Sequence, residues 1–137
     1  MNFSLSPEQA EFLSGRAARI AASAHWLGEF GETDPDLAGA CGVEVCALEA
    51  RTLLGSGLVQ RVQAAAEEAT RLRRPALLAG DDLEGLARLE AAVALGSSRI
   101  GIRLTAMEAE AGQEGLAKFG GLLGLAGSVW GLVKSIL

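Results

Sequence analysis

The stretch "LSPEQAEFLSGRAARIAASAHWLGEFG", Leu5 to Gly31, decides the fold class. It opens as helices open. Ser6 offers a capping oxygen, Pro7 occupies a first-turn position whose N–H has no helical partner, and Glu8 and Glu11 lie near the positive end of the helix dipole. Ala and Leu, strong helix formers, are frequent through the rest of the stretch, and no proline intervenes before Pro35. The stretch predicts a helix over about residues 7–30, closed by Gly31 and the acidic loop "ETDPD".

Working outward, Asp34 or Asp36 starts a second helical region over about 36–74. Arg71, Arg73 and Arg74 suit its negative C-terminal end, and Pro75 stops it. "GSG" at 55–57 is the candidate break within it. "GDDLEGL" reopens the chain at Asp81 or Asp82 for a third helix over about 82–112, and the closing stretch makes a fourth. No run of five or more residues alternates as a half-buried strand would. The expected fold is all-α: a four- or five-helix bundle with an apolar, glycine-striped C-terminal helix. Residues 1–113 form an acidic bundle, and 114–137 are a helix of the same domain or a membrane segment.

Composition narrows the function classes. The 137 residues are enough to bury a core. There is no tyrosine and few aromatics, so the apolar volume comes from Ala, Leu, Val and Ile. The formal charge is −5, and the basic residues are scattered among acidic ones. A nucleic-acid binder needs a basic stripe, so no direct nucleic-acid partner is expected. Cys41 and Cys46, five apart, would point about 140° from each other on one helix and could not readily bridge there. They read as small buried hydrophobes in a reducing compartment. "MNFSLSPEQAEF" has neither the basic nor the apolar region of a secretory signal. A cytoplasmic or virion-internal protein is expected, with the tail as its one candidate membrane element.

Catalytic and metal chemistry lack donors. His25 is the single histidine, which leaves no support for a paired-histidine zinc site, a Ser–His–Asp triad or a di-iron bundle. It reads as a partly buried helix residue beside Trp26. Glu32, Asp34 and Asp36 suit a loop, Asp81 and Asp82 an N-cap, and Glu108, Glu110 and Glu114 a solvated helix end. Neither a phosphate-binding glycine loop nor a dinucleotide fingerprint occurs. No catalytic residue, metal or cofactor is expected, and the chain does not read as an enzyme. Trp26-Leu27-Gly28 resembles the W-x-G turn of the helical-hairpin proteins exported by type VII secretion, over three residues. That family's tyrosine-based export signal has no counterpart in a chain without tyrosine, so the likeness is set aside.

The tail, "KFGGLLGLAGSVWGLVKSIL" from Lys118 to Leu137, carries the functional expectation. On a helix, Gly120, Gly124, Gly127 and Gly131 fall within about 60° of one another and make a smooth stripe. Leu122, Leu125, Val129, Leu132, Val133 and Ile136 form a bulky face opposite, and Trp130 lies on a flank. Each glycine costs about 1 kcal/mol of helix stability against alanine in an exposed position, a loss that close helix contact would offset. A helix with no polar face is buried in protein or in lipid. Leu116 to Leu137 would span about 33 Å, enough for a bilayer core of about 30 Å. The uncharged run from Phe119 to Val133, however, falls short of the usual span of about 18 residues. Lys118 and Lys134 border it and would snorkel at an interface.

A pattern of Ser, Arg, aliphatic and Ala recurs at an interval of 42: Ser14, Arg19, Ile20, Ala22; Ser56, Arg61, Val62, Ala64; Ser98, Arg103, Leu104, Ala106. A true duplication would place three similar helices at equivalent heights in the bundle.

Three functions fit. The first is a self-assembling, non-enzymatic protein that acts in or on a membrane through its C-terminal helix, as anchor or as a pore-forming or permeabilising effector. The second is a structural subunit of a filament, shell or virion, with the same helix as subunit interface. The third is a helical adaptor or chaperone. The expected partners are further copies of the chain, membrane lipid, or another protein.

Overall fold

The structure, a computed structural model, describes residues 1–118, with side-chain surroundings through Arg103. Strand β1 (Asn2–Leu5) leads into helix α1 (Pro7–Thr33). Helices α2 (Pro35–Cys41), α3 (Glu44–Gly55) and α4 (Leu58–Leu72) follow, then strand β2 (Ala76–Ala79) and helix α5 (Gly80–Lys118). The described residues thus hold five helices and a small two-stranded sheet, an all-α bundle as its helix signals predict.

Three rods make the body. α1 begins with a full capping box, in which Ser6 Oγ accepts from the Gln9 N–H and the Gln9 side chain accepts from the Ser6 N–H. Ala10, Ala17, Ile20, Ala24 and Leu27 recur at helical spacing on its buried face. α3 and α4 run end to end, antiparallel to α1. Ala47 and Arg51 of α3 lie against Gly31 and Gly28, while Ala66 and Ala69 of α4 share an apolar cluster with Ala10. The 12 residues of α3 and 15 of α4 together match the 27 of α1. α5 is the third rod, parallel to α1: Arg16 pairs with Glu90, and Leu27 packs against Gly96. Ile20, Leu27, Val62, Leu89 and Val93 are fully buried where the rods meet. Burying side chains of this size stabilises the fold by about 1.5–3 kcal/mol each.

The structure corrects several expectations. The region 36–74 is three helices. It divides at Ser56–Gly57, inside the candidate break at 55–57, where Gly57 has φ 79°; the further division at Gly42, whose φ of 71° ends α2, is the unexpected one. Only glycine takes this left-handed turn at no steric cost. Two strands exist where none was expected. They pair antiparallel from Asn2↔Ala79 to Leu5↔Ala76, and at four residues each they fall below the length over which alternation is legible. α1 runs on through Gly31 to Thr33, and α5 starts at Gly80 and continues past Gly112 to Lys118. Cys41 and Cys46 lie on two helices rather than one; both are buried free thiols. Trp26-Leu27-Gly28 sits inside α1 and makes no turn, with Trp26 stacked on Phe30 at 5.3 Å between ring centroids. The 42-residue recurrence does not map onto one unit. Ser14 is mid-α1, Ser56 lies in the α3–α4 break and Ser98 is mid-α5.

Candidate functional site

Of the residues expected to act, Lys118 is the last residue of α5. Gly120, Gly124, Gly127, Gly131, Leu122, Leu125, Val129, Trp130, Leu132, Val133, Ile136 and Lys134 lie outside the described residues. Among the described residues no helix is long and apolar enough to cross a membrane. What the structure does place is the body to which that tail is joined.

Several of its ion pairs tie one helix to another. His25 is largely exposed rather than partly buried, 3.4 Å from Glu29 one turn on. Among the described residues no group of three His, Cys, Asp or Glu side chains converges as a metal site. Arg51 lies across the α1–α3 seam, donating to the Gly28 carbonyl at 3.1 Å and pairing with Glu32 at 3.3 Å. Arg61 holds Asp82 and Arg88 holds Glu49, each at 2.9 Å, tying α4 and α3 to α5. Such exposed pairs contribute about 0–1 kcal/mol each. Arg99 donates to the Gly42 carbonyl at 2.7 Å, securing the turn between α2 and α3.

Among the described residues, two groups of exposed apolar side chains bear on docking. At the sheet end of the bundle, Leu5, Phe12, Leu13 and Leu83 line a groove of about 470 Å³ together with Glu8 and Gln9. Phe12 is 65% exposed at its rim, off the stripe that α1 buries. The second group is on α3 and α5, where Val45 (75%), Leu48 (56%), Leu95 (47%) and Ile102 (69%) face solvent. Sequence reading missed both. Phe12 carried a signal, since an aromatic two residues from Ala10 falls about 200° away from it around a helix. Leu83 carried none, because it is half-buried against the core and joins the groove only through tertiary packing.

Compared with known protein families, with characterised proteins and with solved structures, the chain matches none.

Proposed function

We propose that this is a non-enzymatic, self-assembling helical protein that acts in or on a membrane through its C-terminal segment. One observation carries the reading: the uncharged run from Phe119 to Val133 has glycines at helical spacing, and a lysine borders it at each end. Small residues so spaced favour close helix–helix packing, and border lysines suit a lipid interface. The open apolar groove and the exposed residues of α3 and α5 give a body with further surface to cover in an assembly.

The test is flotation of the purified full-length protein with anionic liposomes. Co-flotation is expected, with loss on deletion of residues 116–137, and Gly124→Leu or Gly127→Leu should abolish assembly while the bundle stays helical. Wild-type behaviour in both glycine variants would sink the reading. A second reading, a structural subunit that packs without lipid, is favoured by exposed Val45, Leu48, Leu95 and Ile102 on packed helices. It expects protein left at the bottom of the gradient as a large, uniform oligomer that added salt leaves unchanged.

A further inference from the structure

The groove formed by Leu5, Phe12, Leu13 and Leu83 is acidic at its rim. Glu8 lines it, Glu11 follows one turn along α1, and Asp81 and Glu84 flank Leu83 on α5. These four carboxylates are exposed, and among the described residues none is in an ion pair, while neither Lys nor Arg lines the groove. An apolar floor beside carboxylates that no Lys or Arg side chain pairs suits an apolar segment that carries positive charge.

The chain contains one such segment. Its only two lysines are Lys118 and Lys134, and no Asp or Glu occurs after Glu114. Residues 1–117 hold 10 Arg against 17 Asp and Glu, a charge of −7, whereas residues 118–137 carry +2. The tail is therefore complementary to the groove in both hydrophobicity and charge.

For a tail that is helical, as its glycine and leucine spacing predicts, length decides which copy supplies it. Leu83, on the groove, lies 35 residues before Lys118 within the single helix α5, about 52 Å away at 1.5 Å per residue. Residues 119–137 number 19, and as a helix would span about 28 Å. A helical tail turning back along α5 ends about 24 Å short of its own groove.

We infer that the groove seats the C-terminal segment of a second copy of this chain, giving a head-to-tail contact between copies. This rests on the proposed self-assembly through the tail, and it adds the surface that receives it. A contact between two different patches of one chain is heterologous, so it builds a ring, the smallest being two copies that exchange tails, or an open polymer.

A complementation experiment on full-length protein tests this. Phe12→Glu spoils the groove and keeps the tail; Leu125→Glu with Leu132→Glu spoils the tail and keeps the groove. Wild type should associate with rising concentration in sedimentation. Each variant alone should stay monomeric, with association weakened at least about tenfold by the charge now meeting an apolar surface. Mixed together, the two should form a 1:1 pair and stop there, because only one intact contact remains. Glu8→Lys, at an exposed site in the first turn of α1, takes the charge of the four rim residues from −4 to −2 and should weaken association, and Lys118→Glu with Lys134→Glu beside the unaltered groove should weaken it further. Wild-type association by Phe12→Glu, or a mixture that stays monomeric, overturns the inference. Vesicle flotation of the same variants separates the two proposals. Phe12→Glu that floats but does not associate leaves the membrane reading standing, and association without flotation removes that reading alone.

Discussion

Gly31 and Gly28 show how closely α1 and α3 approach. A Cβ at Gly31 would meet the Ala47 Cβ at 2.6 Å, and one at Gly28 would meet the Arg51 Cγ at 2.8 Å. The first contact is with a methyl fixed to the backbone, so Gly31→Val must part the helices. A loss of about 1–3 kcal/mol is expected from overpacking, read as a lower thermal midpoint. Gly15 lies in the same helix with open space around it. There Gly15→Ala should add about 0.5–1 kcal/mol, by removing backbone freedom from the unfolded chain. Opposite shifts in the two midpoints would bear out the packing; equal shifts would refute it.

The buried thiols give a pH signature. Burial pushes Cys41 above its ordinary 9.0, with Asp34 adding to the rise and Arg103 opposing it. Cys46 is raised by burial too, against the pull of Arg99 and with some help from Glu49. The folded chain therefore keeps protons that the unfolded chain releases. This contribution to stability is whole below 9.0 and is lost as pH rises through the folded values. The urea midpoint should fall from about pH 8 to about pH 10, and less steeply in a Cys41→Ala, Cys46→Ala double variant. Parallel slopes in the two proteins would show that the thiols do not matter.

Helix ends decide the elements. Ser6→Ala removes the acceptor of the capping box and should cost about 1 kcal/mol. Arg73, the C-cap of α4, is the one non-glycine residue at positive φ (50°) among the described residues. Arg73→Gly should relieve that strain and gain about 0.5–1 kcal/mol, seen as a raised melting temperature; a fall would mean that the arginine side chain holds the corner. These ends were legible in advance, since Ser6-Pro7 and the arginines before Pro75 act through neighbours in sequence. The break at Gly42 was not. Its left-handed turn is set by how Leu37, Ala38 and Cys41 of α2 bury while Val43 and Cys46 redirect α3 into the same core. That is a tertiary demand, and the eighteen glycines of the chain offer many places to meet it.

At the scale of the whole molecule, composition and helix signals were enough for the fold class, because an alanine- and leucine-rich chain with few prolines has little alternative. The groove was not legible. Leu5 and Leu83 are 78 residues apart in sequence and become neighbours only through the β1–β2 pairing. The prominence of the tail, by contrast, was plain from its uncharged run between Lys118 and Lys134.

That pairing has a consequence for how the chain is made. Asn2 meets Ala79, and Gly80 N–H donates to the Met1 carbonyl at 2.8 Å, so these two residues wait for partners 77 or more positions later in the chain. At about 5–20 residues per second, β1 stays without its partner strand for about 4–15 s after it is made. α1 can form at once from local contacts, but its N-terminal neighbour cannot. During translation β1 is therefore secured only after α1 to α4 have been made, and α5 begins to emerge as the sheet closes.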